Sequence, residues 1–418
     1  MSLFDSASLV VTPNGYKATK LYSVIPSDGT GDMTFGRAGN TATRVNASGL
    51  IQAVNADIPR LDYFGGGCPK LLLEPQRTNL ILQSQDISSA SWLKANSPTI
   101  VSNSSISPDG TTNADSIQDT TGGSFKVIYQ TFGITANSTY TFSLFVKKET
   151  SRTNFGGVAF YPTGGTAKQI YVAFNEVNGT LTNLSGGSIT PTFKVDDYGN
   201  FYRFIITFTD NGTNNSLEID IYGTISTNGT SLGLGAGSAR TIWGMQLEAG
   251  PWATSYIPTT SAAVTRNADD CYKTGISSLI GQASGTLFID YNFQQYDSSV
   301  KVLNVLGITD NDVSLTYISS NLRLLVTNNA NIVINQNYAG FYNSGRYKIA
   351  FAYSLNNAAL YINGTQVATF NNCSFNFTSA YRLSLTANNN FYGDFDLNST
   401  ALWKTRLSNA DLAALTSL

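Results

Sequence analysis

Short segments that alternate apolar and polar residues, separated by tight-turn sequences, run through most of this chain. Thr139–Val146 and Phe201–Phe208 alternate over much of their length. The dipeptides Asn178–Gly179 and Asn211–Gly212 lie between such segments, and Asn-Gly favours the turns of β-hairpins. A period of two residues is that of a strand with one buried face. The region from 71 to about 258 is therefore predicted to form an antiparallel β-sandwich or barrel.

A second set of strand-like segments begins near residue 284. It includes Gly285–Phe293, Tyr347–Tyr353 and Ala358–Ile362, and the turn Asn363–Gly364 follows the last of these. These features predict a second all-β unit that extends to the C-terminus.

The end of this second region, residues 391–412, resembles the closing motif of a laminin G-like or concanavalin A-like sandwich. The resemblance implies a short helix after the last strand, and Trp403, just ahead of this helix, is predicted to be buried. Ser408 is placed to cap the helix, and Asp411 lies in its first turn. The apolar side of the helix is predicted to consist of Leu412, Leu415 and Leu418.

The predicted fold class is all-β, with two antiparallel β-sandwich (jelly-roll) domains preceded by an irregular N-terminal segment. Residues 1–67 contain scattered turn signals and end at the flexible sequence Gly65–Gly67. The predicted boundaries are 1–67 for an N-terminal attachment or oligomerisation segment, 68–258 for the first domain, 259–283 for a linker and 284–418 for the second domain.

Charge and hydropathy argue against two classes of partner, nucleic acids and membranes. Charged residues make up only 12% of the 418 residues, and no run of Lys and Arg forms a basic stripe, so no nucleic-acid partner is expected. No stretch of 18 apolar residues is present, so no membrane insertion is expected. The N-terminus has neither the basic nor the apolar region of a secretory signal.

The cysteines and the absence of histidine limit the available chemistry. The chain contains no histidine, which excludes imidazole as a general base or as a metal ligand. Cys68, Cys271 and Cys373 are far apart in the sequence, without the spacing of a zinc site, and are predicted to be buried thiols.

Three segments, in this order along the chain, resemble a family of bacteriophage virion proteins built on a lectin-like β-sandwich. They are Ala42–Ile51, Cys68–Leu82 and the region 242–260. The order of segments in the first domain resembles the jelly roll of carbohydrate-binding modules, and residues 284–418 resemble a laminin G-like or concanavalin A-like domain. The resemblance implies a protein of the virion surface, assembled in the host cytoplasm. It also implies a homo-oligomer, dimer or trimer, whose N-terminal segment attaches to the capsid or to other virion proteins.

Aromatic residues of the first domain are candidates for glycan binding. Sugar-binding sandwiches stack sugar rings on exposed aromatic faces, whereas buried aromatic residues fill cores. The candidates on which sugar rings would stack are Trp92, Tyr129, Tyr161, Tyr171 and Trp243. Packing in the core is the alternative for each of them.

Catalysis has one candidate pair of carboxylates. Glu218 and Asp220 share a face of a predicted strand, roughly 7 Å apart along it. Jelly-roll glycosidases use a third acid two or three positions further along the same strand, where this chain has Tyr222 and Gly223. No enzymatic activity and no catalytic residue are therefore predicted.

No cofactor and no metal site are predicted, although a structural Ca²⁺ remains an alternative. Its candidate ligands are the acidic pairs Asp196–Asp197 and Asp269–Asp270 and the segment 310–312, and turn chemistry explains such clusters equally well.

The predicted function is a structural virion protein in a head fibre, a capsid decoration or a tail fibre. It would display lectin-like domains for adhesion to glycans of the host or the environment. A purely structural subunit without a ligand is the first alternative, and a polysaccharide depolymerase is the second.

Overall fold

The computed structural model describes residues 2–39, 41–119, 125–185, 189–225, 238–296, 299–307, 312–328, 330–341, 344–377, 380–386 and 393–418. The chain forms two compact units. Unit 1 comprises residues 1–47, 53–76 and 267–418, and unit 2 comprises residues 48–52 and 77–266. The predicted all-β class with antiparallel sandwiches is confirmed, since each unit has two large antiparallel sheets.

The strands are numbered in chain order. Residues 2–76 contain β1 Leu9–Lys17, β2 Lys20–Ile25, β3 Thr34–Gly36, β4 Ala42–Val45, β5 Ile51–Val54, β6 Arg60–Asp62 and β7 Lys70–Leu73. Residues 77–266 contain β8 Arg77–Asn79, β9 Leu93–Ala95, β10 Thr99–Ile106, β11 Thr112–Asp119, β12 Val127–Gly133, β13 Thr139–Lys147, β14 Gly156–Thr163, β15 Ile170–Asn175, β16 Thr180–Asn183, β17 Thr192–Asp197, β18 Phe201–Thr209, β19 Ser216–Tyr222, β20 Ser238–Ala249 and β21 Val264–Arg266. Residues 267–418 contain β22 Asp270–Thr274, β23 Gly285–Tyr296, β24 Ser299–Gly307, β25 Asp312–Ile318, β26 Asn321–Asn328, β27 Asn331–Ala339, β28 Gly345–Tyr353, β29 Ala358–Ile362, β30 Thr365–Phe370, β31 Ala380–Ser384 and β32 Gly393–Trp403. The helical segments are the 3-10 turns Leu3–Ser6 and Ser277–Leu279 and the α-helix α1 Asn409–Thr416.

Unit 2 is a sandwich of two six-stranded sheets. One sheet has the strand order β10-β11-β20-β13-β18-β17, and the other has the order β16-β15-β14-β19-β12-β9. Between them lies a core of large apolar side chains, including Phe142, Phe160 and Phe208. The alternation of the sequence explains this arrangement, because every second residue of a strand points to the same face. The candidate functional site lies on the outer face of the second sheet.

Unit 1 is a larger sandwich. Its nine-stranded sheet has the order β2-β1-β32-β23-β28-β29-β30, with β7 paired to β32 and β6 to β7. The facing seven-stranded sheet has the order β27-β26-β25-β24-β31-β22-β3. Residues such as Ile289, Leu324 and Phe351 fill the core between the two sheets.

The N-terminal residues, predicted as a separate attachment segment, are built into the sheets of unit 1. Leu9 pairs with Leu402, and Phe35 pairs with Cys271. Farther along, β7 pairs with β32, which places residues 70–73 in the same sheet. Apolar runs such as Leu9–Val11 indicate burial. Because these runs are short, the sequence does not indicate which strand they pair with.

The predicted linker 259–283 contains two strands rather than a free connection. In unit 2, β21 pairs with β8. In unit 1, β22 lies between β3 and β31, and Cys271 on it is fully buried. The polar composition of the segment suggested a linker, but polar residues also occupy short strands at the margins of the sheets.

A buried cluster of charges lies in unit 1. Asp269 accepts a hydrogen bond from Arg37 Nη1 at 3.1 Å and another from Arg60. Arg60 also pairs with Glu74 at 2.6 Å, and the backbone N–H of Glu74 donates to Asp269 at 2.9 Å. Because these four side chains are almost completely buried, each charge depends on the others for compensation.

The C-terminal helix forms as predicted, except at its end. Ser408 caps it by accepting a hydrogen bond from the Asp411 N–H at 3.1 Å. Leu412 and Leu415 are buried in a cluster that includes Trp403, which is 1% exposed. Leu418 is 66% exposed, because the helix ends at Thr416 and does not reach it.

The three cysteines differ in their exposure. Cys271 and Cys373 are buried free thiols, whereas Cys68 is exposed, contrary to the prediction for this residue. In the described part of the chain, no helix has the length and apolar character needed to cross a membrane.

Candidate functional site

The two tryptophans among the predicted glycan-binding residues lie in packed clusters. Trp92 is 1% exposed in the main core of unit 2, and its indole N–H donates to the Gln83 carbonyl at 3.1 Å. Trp243 is fully buried, with its ring centroid 5.3 Å from that of Phe145 and 4.7 Å from that of Tyr256. Neither side chain has a ring face at the surface, so the structure does not bring them to a common site with the tyrosines.

The three tyrosines, by contrast, come together on the outer face of one sheet. Tyr129 is on β12, Tyr161 on β14 and Tyr171 on β15, and each is partly buried against the same small cluster. Neighbours in sequence such as Ile128 and Phe160 point to the core instead. Strand alternation thus places the tyrosines outward. We call the surface formed by Tyr129, Tyr161, Tyr171, Tyr222, Glu218 and Asp220 the tyrosine face.

The strand register gives the tyrosine face its dimensions. Tyr129 pairs with Asp220, Asp220 pairs with Ala159, and Ala159 pairs with Tyr171. Three strand spacings separate the Cα atoms of the two tyrosines, which amounts to roughly 14 Å. A ligand that contacts both rings must therefore be longer than one sugar ring.

Hydrogen bonds link the centre of the tyrosine face. The hydroxyl oxygens of Tyr161 and Tyr222 are 3.2 Å apart, and the Tyr222 hydroxyl donates to Asp220 Oδ2 at 3.2 Å. The Tyr161 and Tyr171 rings meet edge to face, with centroids 5.9 Å apart. These contacts hold the rings in defined orientations.

The two acids of the tyrosine face differ in their hydrogen bonds. Glu218 accepts a long hydrogen bond from the Thr131 hydroxyl at 3.4 Å. Asp220 is partly buried among the tyrosines, and its buried Oδ1 atom has no hydrogen-bond partner. A buried acceptor without a donor is costly, so a hydrogen bond donated to this atom would be stabilising.

Burial changes the acidity of these groups. Desolvation, and secondly the charge of Glu218, raise the pKa of Asp220 to about 7. Desolvation also raises the pKa of Tyr161 to about 12 and shifts the pKa of Tyr222 upward. The tyrosyl hydroxyls are therefore neutral donors and acceptors at neutral pH, and Asp220 binds its proton more tightly than an ordinary aspartate.

Tyr222 belongs to the site, although it was not among the predicted glycan-binding residues. The alternation of Leu217–Tyr222 places Glu218, Asp220 and Tyr222 on one face, and this was the signal in the sequence. What the sequence did not show is that β19 lies between β12 and β14, where its side chains meet the other tyrosines.

The acidic pairs considered for Ca²⁺ are bound mainly to protein groups. Asp197 pairs with Lys148 at 2.6 Å, and Asp196 lies 3.2 Å from Lys194. Asp269 belongs to the buried charge cluster, and Asp270 accepts from Thr386 at 2.7 Å. Residues 310 and 311 lie outside the described residues. Where side chains are described, no group of three or more Cys, Asp or Glu is placed to hold a metal ion.

Comparison with known proteins finds only distant structural matches. No family model matches the chain, and no curated protein matches it. The CBM40 of the Ruminococcus gnavus IT-sialidase is 17% identical, with a TM-score of 0.29, over 34% of this chain and 86% of its own. The galectin LEC-6 of Caenorhabditis elegans is 13% identical, with a TM-score of 0.24, over 29% of this chain and 85% of its own.

A longer match is the Trypanosoma rangeli sialidase. It is 9% identical, with a TM-score of 0.29, over 72% of this chain and 60% of its own. At such TM-scores these similarities carry no conclusion about ligand or activity.

Proposed function

We propose that this chain is a glycan-binding protein and that the tyrosine face of unit 2 binds a neutral oligosaccharide. The observation that carries the proposal is the unpartnered Oδ1 atom of Asp220 amid the clustered tyrosines. Ligand sites commonly combine aromatic surface with a few convergent polar groups. A sugar can contact both kinds of group. Its apolar ring faces pack on the tyrosine rings, and its hydroxyl groups donate hydrogen bonds to Asp220 and Glu218.

The charge of the face favours a neutral sugar over an acidic one. Glu218 and Asp220 are adjacent on the same outward face of β19, and their mutual repulsion contributes to the raised pKa of Asp220. A carboxylated sugar would add a third negative group beside them. A hydroxyl group, in contrast, donates a hydrogen bond to each acid without adding charge.

The test is a glycan array with the full chain, followed by calorimetric titration of the neutral oligosaccharides that bind. Tyr129→Ala and Tyr171→Ala remove rings at the two ends of the site. Each is expected to weaken binding about tenfold, which corresponds to about 1.4 kcal/mol. Tyr22→Ala, a partly buried tyrosine in unit 1, is the matched control and should leave the affinity unchanged.

Two outcomes would contradict the proposal. One is no binding of any neutral glycan at millimolar concentration, which would favour a purely structural subunit. The other is binding that survives both tyrosine variants, which would place the ligand elsewhere.

We also propose that the chain belongs to the surface of a phage particle, as part of a head fibre, a capsid decoration or a tail fibre. The resemblance of Ala42–Ile51, Cys68–Leu82 and 242–260 to phage virion proteins supports this role. Many copies on one particle would convert weak glycan sites into strong adhesion. The protein would be a homo-oligomer, attached to other virion proteins through unit 1, whose sheets contain the N-terminal segment.

Immunoelectron microscopy of purified particles, with antibodies against this chain, tests that location. Labelling at the head or the tail is expected. Particles that carry no label, although the chain is made in the infected cell, would rule it out. Light scattering of the purified chain measures its oligomeric state, and a monomer would contradict that part of the proposal.

A depolymerase is the second candidate, because Asp220 has a pKa of about 7 and lies on the same face as Glu218. A pKa near neutrality suits a general acid. Tyr222 occupies the position where a third acid would complete the set known from jelly-roll glycosidases, so binding without cleavage remains our first proposal. New reducing ends from host polysaccharide, lost in Glu218→Gln, would reverse that order.

A further inference from the structure

A second polar site lies on the outer face of the nine-stranded sheet of unit 1. One part of this face is apolar and packs against α1 and Leu3–Ser6, as Phe288 and Trp403 do. Another part opens into a cleft of about 470 Å³. The residues that line it include Cys68, Lys70, Asp290, Asn292, Arg346 and Asn398.

A β-bulge shapes the floor of the cleft. Along β23 and β32 the register passes from Asp290–Ser399 to Tyr291–Leu397, so Asn398 is the extra residue. Bulges redirect side chains and are frequent beside functional sites. Here the Asn398 side-chain amide donates to Asp290 Oδ1 at 3.0 Å.

Arg346 is held by the same carboxylate. Its Nε and Nη2 atoms donate to Asp290 Oδ1 and Oδ2 at 2.9 and 2.7 Å. Asp290 is almost buried, and both of its oxygens are occupied by these donors. The guanidinium is therefore fixed in orientation, while the Arg346 side chain stays 48% exposed beside the cleft.

Lys70 supplies a second cation to the lining. Its ammonium forms an ion pair with Asp396 at 3.6 Å. An ammonium group has three N–H donors, so one ion pair leaves donors for a ligand carboxylate. Burial, and secondly the charge of Asp62, raise the pKa of Asp396 to about 7, so this carboxyl offsets the lysine only partly at neutral pH. The remaining polar lining residues are uncharged amides and hydroxyls such as Asn14, Asn292 and Ser399.

We propose that this cleft binds a carboxylated saccharide unit, a hexuronate, with its carboxylate on Lys70 and Arg346 and its hydroxyls on Asn292, Asn398 and Ser399. Arginine and lysine bind carboxylates by charge-assisted hydrogen bonds, and the amides match the hydroxyl pattern of a sugar. The site is in unit 1 and takes an acidic sugar, whereas the tyrosine face is in unit 2 and takes a neutral one. The two proposals can therefore fail independently.

Cys68 provides a direct readout, because it lines the cleft and is exposed, while Cys271 and Cys373 are buried. The experiment follows the reaction of this thiol with an aromatic disulfide reagent in the folded full chain. Sodium glucuronate at millimolar concentration should slow the reaction at least threefold, and glucose should not. Cys68→Ser provides the blank.

Lys70→Gln should raise the glucuronate concentration needed for protection at least fivefold. Lys20→Gln, the same change at an exposed lysine outside the lining, should not. Tyr129→Ala should retain full protection, since it alters only the tyrosine face. Calorimetric titration with glucuronate gives a second measurement that does not depend on the thiol.

Equal protection by glucose and glucuronate would refute the role of the two cations. Absence of protection together with absence of heat in the titration would refute the site itself. Unchanged protection in a folded Lys70→Gln variant would place the carboxylate elsewhere. Arg346→Gln is a less suitable variant, because it leaves the nearly buried Asp290 without its ion pair and can prevent folding.

Discussion

Asp269→Asn is expected to destabilise unit 1 by about 3–5 kcal/mol, the usual cost of removing one partner from a buried ion pair. In the native protein the Asp269 carboxylate accepts hydrogen bonds from Arg37, Arg60 and the backbone N–H of Glu74. The asparagine keeps the size of the side chain but removes its charge, so the buried guanidinium groups of Arg37 and Arg60 lose the carboxylate that both of them contact. Its amide nitrogen also replaces an acceptor with a donor that faces an arginine.

The assay is urea denaturation of the full chain, followed by fluorescence and circular dichroism. Because the chain has two units, each with its own core, two transitions are expected, and only the one that belongs to unit 1 should shift. The matched control is Asp197→Asn, which breaks the ion pair with Lys148. That carboxylate is 61% exposed, so the control should change stability by no more than about 1 kcal/mol. Equal small effects of the two variants would show that the buried cluster does not hold unit 1 together.

Two further predictions concern unit 2. The ordinary pKa of an aspartate is 3.8, and that of Asp220 is raised to about 7, so the folded state binds this proton more tightly than the unfolded state. The contribution of Asp220 to stability is therefore fully present below about pH 4 and is lost as the pH rises through about 7. Asp220→Asn should be more stable than the parent at pH 8 by denaturation midpoint, with the difference disappearing near pH 4; a constant difference across this range would contradict the raised pKa. Gly156→Ala should lower stability by about 1–3 kcal/mol, because a Cβ there would lie 2.1 Å from the Phe174 ring. Gly133→Ala on β12, where a Cβ meets nothing within 4 Å, is the control for Gly156 in the same denaturation experiment, and equal effects would refute the steric argument.

The candidate site was only partly predictable from sequence, as its aromatic residues illustrate. Trp92 and Tyr129 both looked suitable for a sugar, yet one fills the core and the other lies on the outer face. Periodicity shows that two faces of a strand differ, but a large aromatic ring suits either of them. Strand order then brings Tyr129, Tyr161 and Tyr171 together across β19, and no local signal in the sequence specifies that order.

The cleft in unit 1 was not predictable at all. Its lining joins residues 12–14, 66, 68–70, 290, 292, 346 and 398–399, which only the pairing of distant strands makes neighbours. The bulge at Asn398 depends on the register between β23 and β32, and a pattern along one strand does not reveal it.

By itself, the amino-acid sequence determined the all-β class, the two sandwiches, the cap at Ser408 and the exclusion of imidazole chemistry. These properties are local, since they depend on alternation, on turn dipeptides and on which side chains are present. Only the tertiary structure decided that residues 1–47 and 53–76 complete unit 1 and that the tyrosines and acids of β12, β14, β15 and β19 form one surface. The physical reason is that hydrogen bonds between strands are the same for any partner, so the choice of partner depends on the packing of the whole core.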